Sequence, residues 1–150
     1  MEQIDPQKAQ RVWQRVRGEE PANAPLTALQ SLAAAEWTQA SAYLLLSRQM
    51  QGEEKELLRK LSRQEREHGA CLRGIHAMAT GEPLSARGVP PEAQTPEAVL
   101  RKCYSRTLRA AGEYEKRSTD PEYGCVFEEL ARQERAACRM ILQILGNLQR

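Results

Sequence analysis

Four long segments of the chain repeat apolar residues at alternating steps of three and four, the spacing of one face of an α-helix. They predict long helices near residues 27–50, 53–80, 96–118 and 121–146, and a shorter segment predicts a helix near 5–17. The apolar positions give no strand signal. The pattern therefore predicts an all-α fold.

Capping residues mark the ends of these helices. The predicted starts are the N-cap and proline pairs Asp5-Pro6, Thr95-Pro96 and Asp120-Pro121, together with the capping-box spacing of Thr27 and Gln30. The predicted stops are Gly52, Gly81 and Gly146.

The connections between the long helices differ in length. Those at Gly52 and Asp120 are tight and predict two helical hairpins, whereas residues 81–95 form a long link rich in proline and small residues. Fully extended, this link reaches about 50 Å, which exceeds the roughly 40 Å length of a 27-residue helix. We therefore expect a four-helix bundle with one long crossover. The 150 residues suit a single domain, with an N-terminal helix and linker over 1–25 and the bundle over 26–150.

Each predicted apolar stripe carries a polar residue near its middle. The four stripes are Leu29, Leu32, Glu36, Ala40 and Tyr43; Leu57, Leu61, Glu65, His68, Leu72, Ile75 and Ala79; Leu100, Cys103, Thr107, Ala111 and Tyr114; and Phe127, Leu130, Glu134, Ala137, Ile141 and Ile144. Two of them belong to an internal repeat, LSRQEREHGACLRGI at 61–75 and LARQERAACRMILQI at 130–144. In this repeat Glu134 corresponds to Glu65 and Ala137 corresponds to His68.

Acids in an apolar core are costly, and facing acids repel one another unless a cation neutralises them. Glu36 lies about as far before the first turn as Glu65 lies after it, so the two share one level of the bundle. Glu65 and His68, at i and i+3, share a helix face. Glu36, Glu65, His68 and Glu134 are therefore candidate metal ligands, and their oxygen and nitrogen atoms suit iron, manganese or zinc.

A metal-free bundle is the alternative interpretation of the same residues. In that case Arg106 or Arg63 would neutralise the acids, or the acids would take up protons. Glu113 lies roughly 10 Å, or two turns, from the level of the cluster, which excludes it as a substitute ligand. Cys138, one turn beyond Glu134, is a further candidate donor, although a buried core thiol is the simpler interpretation.

The Glu-x-x-His sequence EREH, the upstream Glu36 with a tyrosine seven residues later, and the repeated helix pairs resemble rubrerythrins and other ferritin-like di-iron carboxylate proteins over residues 26–146. The resemblance implies a ferritin-like four-helix bundle in which two helices each supply a Glu and two supply Glu-x-x-His to a pair of irons. It implies that Glu36 is a terminal ligand, Glu65 and Glu134 are bridging ligands, and His68 is the nitrogen ligand.

The chain departs from the family pattern at two ligand positions. Thr107 stands in place of the second terminal Glu, and Ala137 stands in place of the second His. We therefore expect a reduced, mononuclear site without full di-iron peroxidase chemistry, because one iron does not easily supply the two electrons that peroxide reduction needs. The C-x-x-C pairs of a rubredoxin-like tail do not occur among these residues, so we expect an external electron donor.

The composition of the chain bears on its partners, its compartment and the state of its cysteines. A net charge of +2 gives no reason to expect nucleic acid or an acidic membrane surface as a partner. We expect a cytoplasmic protein, since the sequence contains neither a signal peptide nor a membrane-spanning run. The four cysteines form no C-x-x-C pair, so we expect free thiols. Val12, Trp13 and Val16 need an apolar partner, either the flank of the bundle itself or a second subunit, and we expect a homodimer.

Two functions follow from these observations. The first is a ferritin-like metal-binding protein, an oxidoreductase in oxygen or peroxide defence or a protein of metal handling. The second is a non-catalytic, metal-free helical bundle that serves in binding or assembly. The replaced ligands Thr107 and Ala137 favour the second function, whereas the presence of His68 beside buried acids favours the first.

Overall fold

Four α-helices make up the computed structural model, which describes residues 5–7, 24–89, 92 and 94–149. They are α1 (Ala24–Gln49), α2 (Gly52–Thr80), α3 (Pro96–Lys116) and α4 (Gly124–Leu148). Within these ranges no residue lies in a strand, which confirms the all-α prediction. Beyond residues 5–7, the predicted N-terminal helix, with Val12, Trp13 and Val16, lies outside the described residues.

Local capping explains where α2 ends and where α3 begins. The Thr95 side chain accepts a 3.2 Å hydrogen bond from the amide of Ala98, and Pro96 takes the first helical position. At the end of α2, Gly81 adopts a left-handed φ of 75° and its amide donates to the Ala77 carbonyl at 2.8 Å. Both signals were readable from the sequence.

The starts of α1 and α4 differ from the predictions. Helix α1 begins at Ala24, three residues before Thr27, because proline at position 25 is compatible with a first helical turn. Helix α4 begins at Gly124 rather than at residue 121. Asp120 explains the delay, since its Oδ1 accepts hydrogen bonds from the amides of residues 122 and 123, at 2.9 and 2.8 Å, and holds a turn there.

The helices pack as two antiparallel pairs, α1 with α2 and α3 with α4, and the pairs meet through α1 with α3 and α2 with α4. The link between the two helix pairs runs alongside α1. Ser85 accepts a 3.0 Å hydrogen bond from the Gln30 side chain through its carbonyl, and the Val89 amide donates to Thr38 Oγ1 at 2.8 Å. The link therefore runs in the same direction as α1, and α3 returns antiparallel to α1.

Two apolar clusters fill the bundle, one on each side of a buried polar layer. The first includes Leu29, Leu32, Leu72, Ile75, Tyr114, Phe127 and Leu130. The second includes Tyr43, Leu46, Leu58, Leu61, Leu100, Cys103, Ala137, Ile141 and Ile144. Glu36, Glu65, His68, Thr107 and Glu134 belong to neither cluster and are all buried. The polar layer thus crosses the bundle between two apolar ends.

The predicted stripe of α2 was wrong at its two ends. Leu57 and Ala79 are only partly buried, while Leu58 is fully buried. Leu57 lies eight residues before Glu65, which is more than two full turns, so it is rotated to the side of the core face. Leu58 lies seven residues before Glu65, with Leu61 between them, and stays on that face. Ala79 lies at the last turn of the helix, beyond the apolar cluster.

Candidate metal centre

The four residues that the sequence singled out lie together in the polar layer. Glu36 from α1, Glu65 and His68 from α2, and Glu134 from α4 each offer a ligand atom, and these atoms all lie within 4.8 Å of one another. None of the four residues is more than 1 % exposed. Three helices therefore bring three carboxyl groups and one imidazole to a single point in the core.

One ring nitrogen of His68 faces all three acids. Its Nδ1 lies 2.6 Å from Glu134 Oε1, 3.4 Å from Glu36 Oε2 and 4.0 Å from Glu65 Oε2. Such a nitrogen can either carry a proton, which donates to Glu134, or present a lone pair to a cation among the carboxylates.

The other ring nitrogen is held by an amide. His68 Nε2 lies 2.7 Å from Gln133 Oε1. The Gln133 side chain is oriented by its own contacts, since its Nε2 donates to Glu129 Oε1 at 3.1 Å and its Oε1 also accepts from Gln64 Nε2 at 3.4 Å. Nε2 of His68 is therefore the protonated nitrogen that donates to Gln133, which leaves Nδ1 for the acids. A metal-binding histidine is commonly oriented in this way, by an acceptor for the N–H of its other ring nitrogen.

Sequence reasoning missed Gln133, although a signal was present. Gln64 and Gln133 occupy the same position of the repeated RQER segment, each one residue before a clustered glutamate. The repeat therefore marked two equivalent positions that meet across α2 and α4.

Tyr114 also contributes more than was predicted. Its hydroxyl donates a 2.9 Å hydrogen bond to Glu36 Oε1, while its ring stacks on Phe127 with centroids 6.3 Å apart. Their places in the apolar stripes indicated packing for Tyr114 and Tyr43, while the family resemblance left open that such tyrosines lie beside the metal. The structure shows that Tyr114 both packs and positions Glu36.

Several carboxylate oxygens of the cluster have no hydrogen-bond partner among the described residues. They are both oxygens of Glu65, Oε2 of Glu36 and Oε2 of Glu134. Buried oxygen atoms are rarely left in this condition in folded proteins. Their convergence on an imidazole nitrogen gives the mixed oxygen and nitrogen donor set that first-row divalent metals accept. The residues present therefore fit a metal ion.

The arginines expected to neutralise the acids in a metal-free bundle do not reach them. Arg106 and Arg63 are both exposed, and no ion pair within the described part of the chain joins either residue to the cluster. The positive group that lies beside the acids is His68 itself.

The pKa values of His68 and Glu36 are both raised within the cluster. Burial alone lowers the pKa of His68, but the hydrogen bond to Glu134, the 3.4 Å contact with Glu36 and the negative charges of both acids outweigh it and raise that pKa to about 10. Burial, reinforced by the charge of Glu134, raises the pKa of Glu36 to about 8 against the opposing effect of His68. Without metal, both shifts favour the protonated forms of His68 and Glu36. A metal ion would compete with these protons.

Thr107 and Ala137, the two positions where the family resemblance implied further ligands, have other partners in the structure. Thr107 Oγ1 donates to Gln39 Oε1 at 3.3 Å, and both residues are buried. Ala137 packs in the second apolar cluster. Cys138 is buried but is not one of the four grouped ligands. Cys103 belongs to the second apolar cluster, where burial raises the pKa of its thiol to about 11. This half of the core therefore supplies no further acid or imidazole to the group.

A comparison of the chain with protein-family models, curated proteins and solved structures finds no match. Among the described residues, none of the helices has the length and apolar character needed to span a membrane.

Proposed function

We propose that this chain is a ferritin-like, rubrerythrin-like metal-binding protein that holds one divalent first-row metal ion at Glu36, Glu65, His68 and Glu134. The observation that carries the proposal is the set of buried carboxylate oxygens around His68 Nδ1 that have no hydrogen-bond partner among the described residues. Desolvating acids in this way is costly, and a cation among them offsets that cost. The replacement of a second Glu and a second His by Thr107 and Ala137 supports one ion rather than two.

Iron is the ion that we propose first, because it is the metal of the family that the sequence resembles. Manganese and zinc are alternatives, since the donor set alone does not select among the three. Bound iron supplies one-electron chemistry toward oxygen or peroxide. We therefore propose an oxidoreductase in oxygen or peroxide defence, or a protein of metal handling, with an external electron donor. Gln133 and Tyr114 would position His68 and Glu36 for the ion.

A second candidate function rests on the 2.6 Å contact between His68 Nδ1 and Glu134. Charged His68 can itself act as the internal cation of a metal-free bundle, in which the acids serve only to hold three helices together. Such a bundle would serve in binding or assembly.

Elemental analysis of protein purified without chelators separates the two candidates. We expect about one equivalent of metal in the parent protein and none in His68→Ala. His76→Ala is the matched control, since the chain has two histidines and His76 lies at the end of α2, where it contacts the Glu82 carbonyl at 3.0 Å. A metal-free parent protein, or equal metal in the parent and His68→Ala, would reject the proposed site.

A further inference from the structure

A groove of about 410 Å³ lies between α2 and α4 beside the buried cluster. Of the four clustered residues, His68 alone lines it. Gln133 lines it as well and is partly buried, whereas Glu67 and Glu129 are exposed. The groove therefore leads from two surface carboxylates to the imidazole of the cluster.

The side chain of Gln133 stands between the groove and His68 Nε2. It is held in place by the 2.7 Å contact with His68, by its 3.1 Å hydrogen bond to Glu129 and by a 3.4 Å hydrogen bond from Gln64. All three contacts are made by one amide at the end of a flexible side chain. A rotation of that side chain would break these contacts and uncover the ring of His68 without a movement of either helix.

The charges along the groove favour a cation. Its lining contains two glutamates and neither lysine nor arginine. Arg132 pairs with one oxygen of Glu129, but Glu67 has no ion-pair partner among the residues that the structure describes. A groove between α1 and α3, by contrast, is lined by two basic residues, Lys102 and Arg106, and one acid, Glu92. A carboxylate at the mouth of a cleft raises the local concentration of cations and their rate of entry.

We propose that the groove between α2 and α4 is the route by which a divalent cation reaches the buried cluster, and that the Gln133 side chain is its gate. This inference rests on the proposed metal site, and it adds the path and the residue that controls passage. Glu67 attracts the ion, Gln133 uncovers the Nε2 side of His68, and the His68 ring then turns to pass the ion to the acids on its Nδ1 side.

Stopped-flow binding of Co(II), followed by its visible absorption, tests the route in the full-length protein. Glu67→Gln is expected to slow association by about threefold to tenfold at low salt, with a smaller effect at high salt because the charge is screened. The matched control is Glu122→Gln, which removes an exposed carboxylate outside the groove. It is expected to leave the association rate unchanged.

Two substitutions at Gln133 test the gate. Gln133→Ala and Gln133→Leu both lose the contact with His68, so both are expected to lower the equilibrium affinity by at least about tenfold. Leucine keeps nearly the bulk of glutamine and still fills the groove, whereas alanine removes that bulk and opens it. We therefore expect faster association and faster dissociation in Gln133→Ala, and association no faster than the parent in Gln133→Leu.

The equilibrium measurement keeps the two hypotheses apart. If the parent protein binds no Co(II) at equilibrium, the metal site fails and the route fails with it. If the parent binds Co(II) but Glu67→Gln and Gln133→Ala associate at the parental rate, the route is overturned while the site stands. Circular dichroism of each variant verifies that a changed rate does not reflect unfolding.

Discussion

Tyr114 of α3 donates a 2.9 Å hydrogen bond to Oε1 of Glu36 in α1, across the interface between the two helical hairpins. The bond occupies one carboxylate oxygen and leaves Oε2 facing His68 Nδ1 at 3.4 Å. Burial, reinforced by the charge of Glu36, raises the pKa of the Tyr114 hydroxyl above its ordinary value, so it remains a donor at neutral pH. The two hairpins are thus joined at the residue that sets the orientation of one proposed ligand.

Tyr114→Phe is expected to weaken metal affinity by about tenfold, since a group that orients a ligand typically contributes this much. It should also lower the free energy of unfolding of the metal-free protein by about 1 kcal/mol, the usual contribution of one hydrogen bond. Titration with Co(II) and urea unfolding measure the two effects. Tyr104→Phe, in the same helix and only partly buried, is the control. Parental affinity in Tyr114→Phe would contradict the positioning role.

The convergence of Glu36, Glu65, His68 and Glu134 on one level was readable from the sequence because it depends on quantities that the chain fixes locally. Glu65 and His68 share a face through helix periodicity, and counting from a tight turn sets Glu36 beside them. Glu134 follows from the repeat. The all-α class and the paired helices depend on the same periodicity and capping.

The hydrogen-bond partners of these four residues could not be predicted from local spacing. Whether Tyr114 packs only or also reaches Glu36 depends on how α3 rotates against α1, and the same holds for Gln133 and His68 across α2 and α4. Tertiary packing sets these rotations, and local spacing does not encode them. The late start of α4 was missed for another reason, because the Asp120 side chain supports either a helix cap or a turn.

Glu65 offers a test that separates stability from metal binding. Both of its carboxylate oxygens lack a hydrogen-bond partner in the part of the chain that the structure describes, so replacing it with an apolar side chain removes a desolvation cost. Glu65→Met is expected to raise the free energy of unfolding of the metal-free protein by about 1–3 kcal/mol and to abolish metal binding.

Glu134→Met is the matched control for that substitution, since Glu134 holds the equivalent position of the repeat. Its Oε1 lies 2.6 Å from His68 Nδ1, so methionine leaves a buried polar group without its partner. We expect a loss of stability of about 1–3 kcal/mol, opposite in sign to Glu65→Met. Urea unfolding in the presence of a chelator measures both. Equal destabilisation by the two substitutions would show that Glu65 is satisfied in the metal-free protein.

The stability of the metal-free protein should fall as pH rises from 6 to 9. The pKa of His68 is raised from 6.5 to about 10, so its contribution is complete below pH 6.5 and is lost as pH approaches 10. The pKa of Glu36 is raised from 4.5 to about 8, so the folded state also holds this proton more tightly, and stability again declines with rising pH. Both effects have the same sign.

Urea unfolding of chelator-treated protein at pH 6, 7, 8 and 9 measures this trend. His76→Ala should give the parental profile, because His76 lies outside the cluster. Metal affinity should change in the opposite direction, rising with pH by up to about tenfold per unit for each proton displaced. A free energy of unfolding that stays constant from pH 6 to 9 would contradict the raised pKa values of His68 and Glu36.

Close packing of α1 on α2 beside the cluster depends on Gly69. A Cβ added at this position would lie 2.7 Å from Nε1 of Trp37, whose ring also carries the Arg73 guanidinium at 4.7 Å from its centroid. Gly69→Ala is therefore expected to cost about 1–3 kcal/mol of stability through overpacking. Gly74→Ala, in the same helix, meets no atom within 4 Å and should instead stabilise the protein by about 0.5–1 kcal/mol. Urea unfolding of the two variants measures this difference in sign, and stabilisation by both would show that Trp37 moves aside without cost.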